Sequence, residues 1–412
     1  MLVLDRAQRF HSMKPFTQTQ RSLALLAGFL VLFVGGGSRF AIGLTLKPMV
    51  DQFGWVRTDI GTAVATFQII SALCMFAAGR LADRISLRLV LGSGVAIAGI
   101  GIGLMRYVSA PWHAIVLYGI VFAIGNGVAS IIPVGVMITR AFPNRTGFAN
   151  AVVSAGASVG QLVIIASMAA VLVTIGWQTV FVWLGLAHLA LLPIIMTSAP
   201  RSRADASRSN APHNDAGLRA AAATQQFWLL LAIYGICGFN DFFVTTHVVA
   251  FAQDRGVDAF LAGNLLALMG LTGLAGVVAA GAWSDTSGPI RATAWTFVAR
   301  IAAFALIAID QSAVSVAIFA LVFGATFLIT APLTVMFVRE SFGMRNLGAL
   351  SGLITMVHHI CGGIGAYLGA ALFDRTGRYN AAFAIMLIST IVALGLTTLL
   401  SRNPTRAVHS AG

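Results

Sequence analysis

The sequence predicts an all-α integral membrane protein in which twelve transmembrane helices form two six-helix, pseudo-symmetric halves. Three observations carry this expectation. The 412-residue chain is 58% hydrophobic and 9% charged, with a mean hydropathy of +0.89, far outside the range of soluble domains. Its apolar runs divide into twelve stretches of the length a bilayer demands, about 20 residues per helix. The third is an internal echo: Pro133, Met137 and Arg140 recur as Pro332, Met336 and Arg339 at one offset of 199, and Asp83 recurs as Asp285 at 202. A repeat of that length places a site between the halves, near the bilayer midplane.

In chain order, residues 1–21 read as a polar, basic cytoplasmic leader. The N-terminal bundle, 22–198, holds α1 (22–46), α2 (59–80), α3 (88–107), α4 (112–139), α5 (147–175) and α6 (178–198). Residues 199–225, rich in Arg, Ser, Asp, Asn and Ala with Pro200 and Pro212, read as a cytoplasmic connector. The C-terminal bundle, 226–401, holds α7 (226–252), α8 (258–282), α9 (291–309), α10 (312–338), α11 (347–372) and α12 (379–401), and 402–412 is a cytoplasmic tail. The run from Leu23 is too long for a cleaved signal and reads as α1. Of the 26 Lys and Arg, 18 fall on the side of the termini and six on the other. The positive-inside rule therefore puts both termini in the cytoplasm of a cell (plasma or inner) membrane.

The net charge of +13 does not point to nucleic acid, because the bases form no long run and sit between apolar segments. Cys74, Cys237 and Cys361 lie in apolar segments and read as small core residues, with neither a disulfide framework nor a metal site implied. No Gly-x-x-x-x-Gly-Lys-(Ser/Thr) loop is present, which argues against ATP-driven pumping within this chain. No triad or metal-spaced cluster points to an enzyme, and no cofactor is called for. A monomer working with the lipid bilayer, protons and a small-molecule substrate is the expected unit.

Two loops frame the chain. Gly79-Arg80-Leu81-Ala82-Asp83-Arg84-Ile85-Ser86-Leu87-Arg88 joins α2 to α3, and Gly281-Ala282-Trp283-Ser284-Asp285-Thr286-Ser287-Gly288-Pro289-Ile290-Arg291 joins α8 to α9. Each places a small residue where helices approach closely, with an acid and bases at the membrane face. This pair resembles the loop signature of the major facilitator superfamily. The exit of α1, Pro48-Met49 followed by Phe53-Gly54-Trp55 and Arg57, resembles the monocarboxylate-transporter and oxalate/formate-antiporter branch, as do Asn144-Arg145-Thr146-Gly147 and Gly176-Trp177. The resemblance implies the major facilitator fold, alternating access to a central site, and a conformational-switch role for loop residues Gly79, Asp83, Arg84, Arg88, Asp285 and Arg291. The branch typically carries an arginine late in α8 with an acid one turn before it. Here Leu274–Gly281 holds no charge.

Polar residues inside the spans nominate the site. Tyr118, Phe122, Asn126 and Ser130 recur at steps of four on α4, and Asn150, Ser154, Ser158 and Gln161 share a face of α5. In lipid such stripes must meet protein or water, as a helix contact or a cavity wall. An ionisable group at the bilayer centre costs at least about 2.5–3.5 kcal/mol, so each one asks for a role or a partner. Arg39 lies just past the middle of α1. Asp241, beside Asn240, is the only acid in any helix centre, and the repeat offset relates Arg39 to Asn240. His358 and His359 lie in α11, a cavity-facing helix in the family. Arg300, in α9, reads as a structural arginine tied to carbonyls or a hydroxyl; His247 lies nearer the outer end of α7, and His188 reads as packing.

These residues describe a secondary active transporter for a small organic anion, a carboxylate by preference. Substrate contacts are assigned to Arg39, Tyr118, Asn126, Gln161, Asn240, His358 and His359. Asp241 is the proton-coupling group, paired with Arg39 in the empty carrier; an incoming anion competes for the arginine and proton uptake by the acid becomes easier, which gives symport. The alternative is proton-driven efflux of a drug or toxic metabolite, compatible with apolar walls and 13 methionines. The loop acids generate a first expectation. Asp83→Asn slows transport while equilibrium ligand affinity stays within a few-fold, because the acid serves switching and not substrate contact; a large affinity loss with normal flux of the saturated protein overturns it.

Overall fold

The computed structural model describes residues 17–142, 145–199, 215–327 and 347–402, with isolated positions between 329 and 342. Most of the leader and tail, 200–214 of the connector and much of the expected end of α10 lie outside the described residues, as do the side chains of Asp83, Arg84 and Asp285. Within them every regular element is helical. Ten helices are long and apolar enough to cross a membrane. One of these, Thr146–Ser198, contains two crossings, and the shorter apolar helix Ala313–Phe327 completes twelve.

The spans are α1 Gln18–Phe53, α2 Arg57–Arg84, α3 Leu87–Leu104, α4 Pro111–Ala141, α5 and α6 within Thr146–Ser198, α7 Gln225–Asp254, α8 Ala259–Ser287, α9 Pro289–Ile309, α10 Ala313–Phe327, α11 Leu347–Thr376 and α12 Asn380–Arg402. A short helix, Asp215–Ala222, precedes α7. The boundary between α5 and α6 is a single residue: Gly176, at φ 75°, ψ 157°, adopts a conformation that a Cβ would strain. Both described ends, Gln18 and Arg402, fall on one face, here the terminal face; the α1–α2, α7–α8 and α11–α12 connections fall on the opposite, distal face.

α1 departs from expectation in a way that matters. It runs seven residues past Leu46 to Phe53 and is interrupted at Arg39–Phe40, where the first segment ends at Ser38 and the second begins at Ala41. The cause is local. Gly35-Gly36-Gly37 favours helix weakly, and its small residues press α1 onto α5: a Cβ on Gly36 would stand 2.7 Å from Ala157 Cα, and one on Gly37 2.7 Å from Gly160 O. The interruption leaves the Arg39 carbonyl open to Tyr118, whose hydroxyl donates to it at 2.7 Å. Irregular backbone at membrane depth needs such a partner. α4 is irregular as well, with a π-helical stretch Ile115–Phe122 and a turn at Ala129–Ser130, so the four-residue steps drawn from the sequence do not describe one straight face.

The halves meet along α2 with α11, α5 with α8, and α1 with α7. Small residues set each approach. A Cβ on Gly61 would meet Ala370 Cβ at 2.7 Å, one on Gly263 would meet Ala169 Cβ at 2.6 Å, and one on Gly43 would meet Thr245 O at 2.5 Å. Within the second half, Gly238 of α7 lies against the backbone of His358, and Gly365 of α11 against that of Phe239. This tight seam fixes His358 beside Asp241.

Candidate functional site

Two polar centres lie between and within the halves. The first surrounds Arg39. The break in α1 projects its guanidinium over the ring of Phe40, 4.7 Å from the centroid, and over that of Phe242 on α7, 5.5 Å away. Cation–π contact of this kind contributes about 0.5–2 kcal/mol each, and it leaves the planar N–H fork free. Among the described residues no carboxylate, carbonyl or hydroxyl accepts from that fork. Ile42, Val64, Phe67, Gln68, Tyr118, Thr245 and Thr246 complete the surroundings, and Gln68 Oε1 is buried without a partner. The cavity is about 10 Å³, on the scale of one water. A substrate therefore needs the halves to part.

The second centre is the ion pair of Asp241 with Arg300. Both side chains are fully buried, and Arg300 Nη1 stands 2.8 Å from Asp241 Oδ1. The expected pairing of Asp241 with Arg39 is thus corrected. The partner is Arg300 of α9, because α7 turns Asp241 toward its own bundle while Phe242, one residue on, faces Arg39. Arg300 also meets a hydroxyl and a carbonyl: Nε donates to Thr326 Oγ1 and Nη2 to Thr326 O, both at 3.0 Å, and Nη1 donates to Cys237 Sγ at 3.2 Å. Neither Asp241 oxygen receives an aligned hydrogen bond from any other described group, so the Arg300 contact is what holds the acid. His358 Nε2 is 3.7 Å from Asp241 Oδ2, and the rings of both histidines pack on Phe242. Phe242 is therefore the wall between the free arginine and the acid.

Other expected substrate contacts bond to protein. Asn240 Nδ2 donates to Thr390 Oγ1 at 2.9 Å, and Asn240 Oδ1 accepts from Ser389 Oγ at 3.1 Å, which ties α7 to α12. Gln161 Nε2 donates to Leu266 O at 3.0 Å across the α5–α8 seam. Asn126 Nδ2 reaches Gly35 O at 3.4 Å, and Tyr118 supports the Arg39 backbone. His358 Nδ1 lies 3.1 Å from Tyr234 O, and His359 Nδ1 lies 2.9 Å from Thr355 O. In the switch loops, Arg88 donates twice to Ala199 O at the end of α6, Gly79 packs near Ile132, and Arg291 is exposed.

A third cluster closes the distal face; sequence reasoning used Arg57 only as part of the α1 exit motif and as a loop charge. Arg57, at the start of α2, donates from Nη2 to Asp254 of α7 at 2.6 and 2.8 Å and from Nη1 to the Tyr379 hydroxyl at 2.6 Å, with its guanidinium 3.6 Å from the Phe373 centroid. Lys47 Nζ stands 3.4 Å from Asp254. Asp374 accepts from the backbone N–H groups of Arg57 and Thr58, at 2.9 and 2.7 Å, and from the Thr58 hydroxyl. Every one of these contacts joins one half to the other. Burial pushes the Tyr379 phenol up, with Arg57 opposing, so it keeps its proton. Arg57 is visible in the sequence, three residues past Gly54, but its partners lie near positions 254 and 374, and no spacing rule connects them.

Two helix bundles, a polar centre between them and ion pairs that seal one face define a membrane transporter with a central site. The chain belongs to the Major Facilitator Superfamily, whose family model matches residues 28–366 and 251–411. Among curated relatives, an uncharacterized transporter of this type, YcxA of Bacillus subtilis, is 24% identical over 89% of this chain and 92% of its own. Monocarboxylate transporter 13 of Rattus norvegicus is 23% identical over 90% of this chain and 83% of its own. The oxalate:formate antiporter of Oxalobacter formigenes is 23% identical over 91% and 90%. A solved bacterial homolog of the human lysosomal transporter Spinster shares the fold at a TM-score of 0.74, with 17% identity over 94% of this chain and 98% of that one.

The buried pair generates a second expectation. Arg300→Met strips Asp241 of its counter-charge, and breaking a buried pair from one side costs about 3–5 kcal/mol. An unpaired carboxylate escapes part of that cost by taking a proton, so the loss of melting temperature in detergent is larger at pH 8 than at pH 6, and adding Asp241→Asn removes the pH dependence.

Proposed function

We propose that this transporter carries a small organic anion, a carboxylate, across the cell membrane by alternating access and with proton coupling, both termini lying in the cytoplasm. One observation carries the reading: the Arg39 guanidinium lies in the apolar centre between the halves, on two aromatic faces, with no protein acceptor among the described residues. An arginine so placed lacks the anion it is shaped for, and a carboxylate supplies two oxygens to its fork. Arg300 is already committed, so the centre offers one free guanidinium, which suits a single carboxylate. The names of the two relatives that mention monocarboxylate and oxalate:formate agree with this class. The excess of Lys and Arg on the terminal face supports the orientation.

Asp241 supplies proton coupling through a different route from the sequence expectation. An anion on Arg39 cancels the positive field that this arginine exerts on Asp241 behind Phe242, and the acid then accepts a proton more readily. Arg300, released in part from Asp241, stays anchored on Thr326. Substrate and proton cross together as a nearly neutral load. His358, 3.7 Å from the acid, is placed to pass that proton.

Flux into proteoliposomes under an imposed pH gradient, with binding by thermal shift, tests the reading. Ligand that binds only the folded carrier raises its apparent stability. Arg39→Lys keeps the charge and loses the fork; a charge-assisted hydrogen bond is worth about 1.5–3 kcal/mol, so carboxylate affinity falls roughly ten- to a hundredfold. Wild-type affinity in Arg39→Ala ends the anchoring role. In parallel, Asp241→Asn abolishes uphill accumulation yet leaves substrate exchange largely intact; accumulation at the wild-type rate and with the wild-type pH dependence rejects coupling through this acid.

A further inference from the structure

We propose that His247 is a second proton-binding site, built into the distal seal, whose occupation loosens the grip of Arg57 on the second half and opens the carrier to the distal side. The inference rests on the proton-coupled reading above and adds an order of events to it. A proton from the distal side binds first, the distal face parts, and the anion then reaches Arg39.

Donor and acceptor counting fixes the state of His247 in the closed seal. Its Nε2 faces the Ala366 carbonyl at 2.8 Å. A carbonyl only accepts, so Nε2 carries the hydrogen. Its Nδ1 is 3.0 Å from the Tyr379 hydroxyl, and that oxygen already accepts from Arg57 Nη1 at 2.6 Å. The single phenol proton is therefore donated to Nδ1. The chain Arg57 to Tyr379 to His247 to Ala366 is complete with a neutral imidazole, and it runs from the first half into α12, α7 and α11 of the second.

One added proton breaks this order. With Nδ1 protonated, the phenol oxygen faces two cationic donors and its own hydrogen has lost its acceptor in a buried place. Leaving such a group unmade is what costs most. The seal relaxes when Arg57 leaves Tyr379. The other charges near His247 do not absorb the proton's effect: Asp374 accepts from Thr58 and the Arg57 backbone, Asp254 holds the outer edge of Arg57 together with Lys47, and the remaining neighbours, Phe243 and the Tyr379 ring, are aromatic. His247 lies six residues beyond Asp241 toward the distal end of α7, so a proton from that side meets it before the buried acid.

Electron-paramagnetic distance measurements on the full-length protein test this without any substrate. Spin labels replace Tyr107 and Ile309, which are 71% and 87% exposed just past the distal end of α3 and at the distal end of α9, in a background carrying Cys74→Ser, Cys237→Ser and Cys361→Ser. Between about pH 8 and pH 5, the range in which histidine changes charge, the long-distance population is expected to rise at least about fivefold. In His247→Gln the population no longer responds to pH, and in Tyr379→Phe, where no relay reaches Arg57, the response is also lost. In Asp241→Asn it persists. A wild-type pH response in His247→Gln overturns the inference, as does a pH-independent parent. If Asp241→Asn alone removes the response, the proton that opens the seal is the one on Asp241; the second site is then rejected while proton coupling through the acid stands. Retained carboxylate binding in His247→Gln confirms that the variant is folded.

Discussion

The absence of water from the bilayer core is the constraint on which the rest of this molecule depends. Every polar group there must find its partner inside the chain, and the described structure meets that demand almost everywhere. Arg300 satisfies it with Asp241, Thr326 and Cys237. The carbonyl freed at Arg39 satisfies it through Tyr118. The Arg39 guanidinium is the charged exception among the described residues, supported only by ring faces, and Gln68 Oε1 beside it is also without a partner. Two arginines at similar depth thus divide the work. One is consumed by the protein, and the other is kept available.

Keeping an arginine available requires an unusual backbone. A regular α1 would leave no free carbonyl and would carry Arg39 past the cavity at an angle set by its neighbours. The three glycines before it let α1 lie against α5 closely enough to support an interruption, and the interruption sets the direction of the side chain. Phe242 completes the device, because it is one residue from Asp241 and one ring thickness from Arg39. A charge change on either side of that ring is felt on the other, with no bond made or broken between them.

The fold was legible in the sequence because it depends on composition and repetition. Twelve apolar runs, a repeat at 199 to 202 residues and paired loop motifs are properties of many residues at once, and no single error removes them. The site was legible only in part. Arg39 and Asp241 stand out because a charge in an apolar run is conspicuous, but their partners are set by helix rotation. A rotation of one residue is about 100° on a helix, which is why Asn240, Asp241 and Phe242 meet α12, Arg300 and Arg39 respectively. Asn240, assigned to substrate from the sequence, bonds Thr390 and Ser389 of α12 for that reason. The distal seal escaped the sequence for a different one: Arg57, Asp254, Asp374 and Tyr379 converge from four separate ends, and each alone looks like an ordinary loop residue.

In the proposed cycle the strength of that seal has to match what a substrate and a proton can overcome. Moving a two-state equilibrium from one extreme to the other, 1:99 to 99:1, takes about 5.5 kcal/mol of differential binding. Breaking a fully buried pair such as that of Arg300 from one side, at about 3–5 kcal/mol, would take up most of this, and Arg300 lies within one half, where the proposed opening does not disturb it. The bonds between halves are of another kind. Lys47 and Asp254 retain side-chain exposures of 32% and 22%, so water and salt weaken their pair toward the range of about 0–1 kcal/mol. Of the charged groups there only Arg57 is buried, and in the proposed cycle the loss of its contacts with Asp254 and Tyr379 decides the transition. A carrier with a fully buried ion pair across its moving surface would lock; in the proposed cycle this chain keeps its fully buried pair inside a bundle and has a part-exposed one at the seam.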